Sequence, residues 1–300
     1  MMNRRSFLAA AAVSVLLLTG CSKADVEQTG PGAERIAALG LGDVDTLLAL
    51  GVTPVAVAPF SAPDAVSKNG LEPWAEKLGE GKEMTPIFNT SKGFTAGVLE
   101  EVTATNPSQI IAVNQAVDPQ AKEALEKIAP TTLKPEGFAD WQIPWKDQVE
   151  QIAGAVDKEK EGEKLIKDTE AAFEEYKKSH PELQGKKAAV VMSYSGKLGL
   201  YTDADGRGQF IESMGMEIPD GVQGTDKSQF YLDIAPENYS ILEQVDVLYV
   251  LDYEGSAEPL KTDPAFAALL PKAKFIEQSV GNAMSVPNPV SIPWALEKLK

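Results

Sequence analysis

Short apolar runs alternate with Gly- and Pro-marked turns along most of the chain. Arg35–Leu39 (RIAAL) reads as a buried strand, and Gly40-Leu41-Gly42 turns the chain. A short helix is predicted over Asp43–Leu50 with Gly51 as its C-cap, then a strand over Pro54–Ala58. Strand, helix and strand at this spacing argue a parallel α/β unit. The pattern continues with a weak helix over Leu71–Leu78, a short strand over Pro86–Phe88 and a helix over Val98–Ala104. A strand over Gln109–Val113, a helix over Pro119–Ile128 and a strand over Pro130–Leu133 follow. Trp145–Val156 carries Val149, Ile152 and Val156 on one face of a helix. The second half repeats the grammar. Strands are predicted at Lys187–Ser193, Leu198–Tyr201, Val245–Leu251 and Phe275-Ile276. Helices are predicted at Gly208–Met214, Pro236–Leu242, Pro264–Leu270 and Val290–Leu299.

Between the halves lies Asp157–His180, DKEKEGEKLIKDTEAAFEEYKKSH, the longest uninterrupted helical run. Acids and Lys alternate along it. Leu165, Ile166, Phe173 and Tyr176, with Ala171 and Ala172, give it only a thin apolar seam. Asp157 is placed to cap its start, and Pro181 stops it. At about 1.5 Å per residue it spans about 33 Å, roughly the width of a small domain. It reads as a strut between two α/β lobes of similar plan, each Rossmann-like, with a ligand cleft between them. Leu99-Glu100-Glu101-Val102 before the strand QIIAV corresponds to Pro236-Glu237-Asn238-Tyr239 before the strand VDVLYV. The expected organisation is a leader over 1–20, a tether over 21–34 and an N-terminal lobe over 35–145. A connecting helical segment over 146–182, with its long helix at 157–180, and a C-terminal lobe over 183–300 complete it.

Composition narrows the function. With 300 residues and 43% hydrophobic content the chain buries a sizeable core. It carries 28 Lys+Arg against 44 Asp+Glu, a net charge of −16, which repels phosphates and excludes nucleic acid as a partner. One His, His180, and one Cys, Cys21, leave no His or thiolate cluster for zinc, copper or haem. No G-x-S-x-G elbow, Walker loop or G-x-G-x-x-G is present, and the many acid pairs are what any acidic surface supplies, so no enzyme is read here.

The first residues read as a targeting segment. Arg4-Arg5 precede a short apolar run, Leu8–Leu18, too short to span a bilayer comfortably. Leu18-Thr19-Gly20-Cys21 resembles a bacterial lipobox, which implies cleavage and attachment of a palmitate-bearing diacylglyceryl group to Cys21. NRRSFL also resembles a twin-arginine signal, with Asn3 in place of the usual Ser or Thr, so the export route stays open.

Residues 35–60 (RIAALGLGDVDTLLALGVTPVAVAPF), 98–113 (VLEEVTATNPSQIIAV), 203–219 (DADGRGQFIESMGMEIP), 234–250 (IAPENYSILEQVDVLYV) and 288–299 (NPVSIPWALEKL) together carry a family resemblance. The chain resembles the ABC-transporter solute-binding lipoproteins that capture ferric siderophores, the class III, helical-backbone family, whose relatives bind haem and cobalamin. It departs at Asp45, where the family has Glu, and at Pro107-Ser108-Gln109-Ile110, where PDLV is usual. The resemblance implies an α/β fold of two lobes on one long helix, which move little on binding. It implies a lipid-anchored monomer on the extracytoplasmic face of a bacterial membrane, with an ABC permease and its ATPase as partners. It implies no cofactor and, as ligand, a ferric siderophore whose iron the siderophore itself holds. Haem, cobalamin or another chelate, or a tethered sensor without transport, remain the alternatives.

The resemblance also implies a permease-docking Glu on each lobe, at Glu100 and Glu237. For the cleft, loops after strands and segments beside the strut supply Phe60, Phe94, Asn114, Trp141 and Trp145 in the first lobe. The second lobe supplies Tyr194, Tyr201, Arg207, Tyr231 and Tyr253. Arg207 is the sharpest, because it is the sole Arg beyond residue 35. Its planar fork of donors suits the oxygens around Fe(III), the alternative being an ion pair with Asp203 or Asp205. Of Trp141 and Trp145, one is expected at the cleft and one in the core. Each Tyr reads first as a core or surface residue and only second as a ligand contact.

Overall fold

The computed structural model describes residues 34–223 and 229–299. The leader and the lipid attachment at Cys21 lie outside the described residues, as does the tether apart from Glu34. Glu34–Lys300 forms one compact unit.

The first sheet is built from β1 (Ile36–Ala38), β2 (Ala56–Val57), β3 (Thr85–Pro86), β4 (Gln109–Ala112) and β5 (Thr131–Leu133). All its pairings are parallel, in the order β3-β2-β1-β4-β5. The chain winds outward from β1 in one direction through β2 and in the other through β4. A topological switch point therefore lies between β1 and β4, where open α/β sheets bind ligands. Helices α1 (Asp43–Ala49), α2 (Ala96–Ala104) and α3 (Pro119–Glu126) belong to this lobe. Alternation along the strands decides the core. Ile36 and Ala38 of β1 point to one hydrophobic cluster, Ala37 and Leu39 to another on the opposite face.

Two helices then cross to the second sheet: α4 (Trp145–Ala155) and α5 (Glu159–Ser179). The buried face of α5 is Gly162, Ile166, Thr169, Phe173 and Tyr176, a single stripe at steps of three and four. Gly162 packs directly on α4; a Cβ there would stand 2.6 Å from the Ala153 methyl. Phe173 meets Phe210 edge-on at 5.4 Å, and the Tyr176 hydroxyl donates to the Leu299 carbonyl at 3.1 Å. Asp157 does not cap α5. It sits at φ 54° in the left-handed region and makes the bend between α4 and α5, while the N-cap position is Lys158 without a side-chain cap.

The second sheet contains β6 (Ala188–Tyr194) and β7 (Lys197–Tyr201). Helices α6 (Gly206–Ser213) and α7 (Asp220–Gln223) follow, then β8 (Tyr231–Ile234), β9 (Val247–Asp252) and β10 (Ala273–Glu277), closed by α8 (Gln278–Ser285) and α9 (Ser291–Lys298). Its order is β10-β9-β6-β7-β8. β6, β9 and β10 run parallel, but β7 and β8 are antiparallel, so the sheet is mixed. Ser195 and Gly196, both at positive φ, form the two-residue hairpin turn that reverses the chain there.

Several local expectations change. Leu71–Leu78 forms a 3-10 turn only at Glu76–Gly79, because Pro73 removes a donor and pushes Glu72 away from helical angles. Residues 264–270 make turns rather than a helix, in a run too short between Pro264 and Pro271. Helix α8 (QSVGNAMS), helix α7 and strand β8 have no counterpart among the expected elements. The principal core cluster contains β1, α4, α5, β6, β9, α8 and α9 residues alike, so both lobes share one packed interior.

Candidate functional site

At the switch point, Leu41 follows β1, Phe60 follows β2 and Asn114 follows β4, all at carboxyl ends of parallel strands. They line one wall of a cavity of about 220 Å³, together with Ser91, Trp141, Ile143 and Gln148. The facing wall is the start of α6 (Asp205, Gly206, Arg207, Gln209), Phe230 ahead of β8, and Ser285, Val286 and Pro287 at the end of α8. The cavity therefore lies between the two lobes. Both walls mix apolar surface with a few polar groups, as small-molecule sites do.

Local sequence fixes the second wall. Asp205 is the N-cap of α6, its Oδ1 accepting from the Arg207 backbone N–H at 2.8 Å. Gly208 lets α6 lie against the preceding turn, since a Cβ there would fall 2.0 Å from the Thr202 carbonyl oxygen. The Arg207 guanidinium then folds back on Asp205, donating from Nε at 2.7 Å and from Nη2 at 2.9 Å. It stacks over the Tyr201 ring at 3.6 Å. Burial works against the Arg207 cation, but the Asp205 carboxylate outweighs it and holds the pKa above the ordinary Arg value. Burial pushes the Tyr201 hydroxyl up to about 12, so it stays neutral.

The first wall rests on buried acids. Asp43 accepts the backbone N–H groups of Val113 at 2.8 Å and Asn114 at 3.2 Å, tying the loop after β4 to the start of α1. Desolvation still outweighs those bonds and raises Asp43 to about 6. Asp45 accepts Trp74 Nε1–H at 2.6 Å and Asn288 Nδ2–H at 2.8 Å on one oxygen, while its other oxygen is buried without a partner. Burial first, with repulsion from Glu72 and Asp43, pushes Asp45 up to about 7. Glu72, also raised by burial, accepts the Ser61 N–H and hydroxyl at 2.7 and 2.8 Å, and Asn282 Nδ2–H donates to that hydroxyl at 2.9 Å. Asn282 and Asn288 belong to the second lobe, so these bonds latch the lobes together behind the cavity.

Of the residues expected at the cleft, the structure brings Phe60, Asn114, Trp141 and Arg207 to the cavity. Trp141 is 40% exposed and sits at φ 59°, a left-handed angle rare for a bulky residue and a common mark of a functional position. Trp145 goes to the core at 6% exposure, so the pair divides as expected, with Trp141 the cleft member. The other five lie elsewhere. Tyr201 is under Arg207 rather than on the lining. Tyr253 lies off the lining with its buried hydroxyl unpartnered. Phe94 packs on the core of the first lobe. Tyr194 points its hydroxyl to Asp233 on β8, and Tyr231 is exposed beside it in a separate depression. Phe230, just ahead of β8, lines both the cavity and that depression, and its ring packs on Tyr231 at 5.0 Å. Asp205, Gln148, Gln209, Ser91 and Ser285–Pro287 were not foreseen as lining. A capping Asp two residues before the lone Arg was the one sequence signal for any of them. Glu100 on α2 and Glu237 on the 3-10 helix Pro236–Gln244 are both exposed, ahead of β4 and β9 respectively.

Among the described residues no group of three or more His, Cys, Asp or Glu is placed to hold a metal ion. His180 stacks on Tyr176 at the end of α5. Among the described residues no helix is long and apolar enough to cross a membrane.

A family model described as periplasmic binding protein matches residues 36–273. The chain belongs to that family. It is a family of binding proteins, not of enzymes. Among curated relatives, the Fe(3+)-citrate-binding protein YfmC of Bacillus subtilis is 24% identical over 79% of this chain and 69% of its own. The probable siderophore-binding lipoprotein YfiY of Bacillus subtilis is 27% identical over 62% of this chain. The chain spans about half the length of YfiY, 53%. Among solved structures, a periplasmic solute binding protein from Mycobacterium smegmatis is 28% identical with a TM-score of 0.75, over 89% of this chain and 90% of its own. PiaA of Streptococcus pneumoniae, solved with ferrichrome, is 25% identical with a TM-score of 0.73 over the same shares. The α/β fold of two lobes on one long helix is thus that of the class III binding proteins.

Proposed function

We propose that this protein is the lipid-anchored, extracytoplasmic binding component of an ABC importer and captures a ferric siderophore between its lobes. The observation that carries this is the inter-lobe cavity at the switch point, where Arg207 faces Phe60, Asn114 and Trp141. The relatives named for siderophore and Fe(3+)-citrate, and PiaA with ferrichrome, support the ligand class. A cavity of about 220 Å³ is smaller than sites that engulf a drug-sized ligand, so the chelate sits with part of its shell in solvent. Trp141 and Phe60 cover its organic face, and Arg207 and Asn114 meet its oxygens. Iron stays held by the siderophore, with no cofactor in the protein. With the leader over 1–20 removed, the lipid on Cys21 and the tether over 21–34 hold the N-terminal lobe (35–145), the connector (146–182) and the C-terminal lobe (183–300) at the membrane as a monomer. The shared core and the cross-lobe bonds of Asn282 and Asn288 support little lobe movement on binding.

Tryptophan fluorescence, titrated with ferric siderophores, haem and cobalamin, tests the reading. A ferric siderophore quenches at micromolar concentration or below, and Trp141 at the cavity accounts for most of the signal. No response to any ferric siderophore refutes it. Docking to the permease is assigned to Glu100 and Glu237, two exposed carboxylates on short rigid helices that suit a cationic surface. Glu100→Lys with Glu237→Lys abolishes cellular iron uptake while leaving chelate affinity within about twofold. Intact uptake in that double variant contradicts the assignment.

A further inference from the structure

The charge of the cavity bears on which ferric chelate it takes, an inference that rests on the reading above. Among the described residues its lining holds one cation and one anion, Arg207 and Asp205, and the two are joined by a bidentate ion pair. Lys92, the next residue to the lining Ser91, is not itself on the lining and donates from Nζ to Asn89 Oδ1 at 2.9 Å. Asp43, Asp45 and Glu72 behind the wall add no cation. What remains for a ligand are neutral or already compensated donors. Arg207 Nη1 and Trp141 Nε1 have no acceptor among the described residues.

We propose that Asp205, by neutralising Arg207, makes this an electroneutral cleft that selects uncharged ferric chelates of the tris-hydroxamate class and rejects anionic tris-catecholate or citrate complexes. Three hydroxamates carry three negative charges against Fe(III) and leave a neutral complex. Three catecholates leave a charge of −3. An anionic complex would be desolvated against a wall whose single positive charge is already spent on Asp205, in a protein of net charge −16. A neutral complex needs only hydrogen-bond donors to its oxygens and apolar cover, which the wall supplies.

The test is fluorescence titration of the purified protein with ferrichrome, a ferric tris-catecholate and ferric citrate. Ferrichrome binds at least tenfold tighter than either anionic complex, and its affinity changes little between about 0.05 and 0.5 M salt. Asp205→Asn keeps an oxygen to cap the Arg207 N–H but cannot hold the guanidinium by two charged bonds. It narrows the ratio by at least tenfold in favour of the tris-catecholate. Wild-type protein binding an anionic complex as tightly as ferrichrome overturns the proposal while leaving siderophore binding intact, and so does an unchanged ratio in Asp205→Asn. Should that variant not fold, the wild-type ratio and its salt dependence decide alone. Binding of none of the three refutes both this and the siderophore reading.

Discussion

Arg207→Ala lowers affinity for the bound ferric chelate by at least tenfold and destabilises the fold by about 3 kcal/mol. Two separate causes act. The affinity loss follows from a charge-assisted donor on the cavity wall, where one such bond is worth about 1.5–3 kcal/mol and about 1.4 kcal/mol is tenfold. The stability loss follows from what the substitution leaves behind. The side chains of the pair are 13% and 8% exposed, so removing the cation strands a nearly buried carboxylate. Breaking such a pair costs about 3–5 kcal/mol. The stack on Tyr201 is lost as well. The two causes separate experimentally. Adding Asp205→Asn to Arg207→Ala recovers most of the urea-unfolding midpoint, because no stranded charge remains, but does not recover affinity. Wild-type affinity in Arg207→Ala would remove this residue from the site, and a wild-type midpoint would show that Asp205 is not stranded.

The protein loses stability as the pH rises from about 4 to just above 7, and Asp45 is the main reason. In an unfolded chain the carboxyl ionises near its ordinary value of 3.8, whereas burial raises it to about 7 in the native state. Between those values the native protein holds a proton that the unfolded chain has released. The stabilisation is complete below the unfolded value and is lost as pH climbs through the native one. At about 1.4 kcal/mol per pH unit, the gap amounts to about 4 kcal/mol over the whole window. Asp43, raised to about 6, adds a smaller loss over the lower part of it. Thermal unfolding at pH 5 and pH 8 measures the effect, with the lower midpoint at pH 8. Asp45→Asn, which cannot ionise, removes most of the difference. An equal pH 5 to pH 8 drop in wild type and variant would move the effect to other groups. Asp45 also accepts from Asn288 across the lobe boundary at 2.8 Å. The same titration therefore loads charge onto the bond that latches the lobes.

Both predictions depend on groups that local pattern could only half describe. The lone Arg in a Lys-using chain marked Arg207, and the nearby acids marked its partner as Asp203 or Asp205. Choosing Asp205, and showing that an ion-paired Arg still lines a cavity, needed the turn of α6 against Thr202 and the closeness of α8. Asp45 stood out only as a departure from the Glu usual in the family. Its meeting with Asn288 spans 243 positions of sequence, which no local pattern encodes. Among the aromatics, sequence required one Trp of the pair in the core and one outside. Which was which depended on Trp141 taking a left-handed backbone while Trp145 begins α4 facing inward.

What the sequence determined by itself was most of the elements, the strut and the class of fold. Those follow from apolar period, Gly and Pro placement and the acid–Lys alternation of α5, all of which act within a few residues. Its single His and single Cys likewise bounded the chemistry. Tertiary structure alone decided the antiparallel half of the second sheet, the helix α8 and the membership of the cavity. Those depend on which strand edge is free and which loop ends meet. They are set by packing between residues far apart in the chain, where burial and charge compensation outweigh local preference.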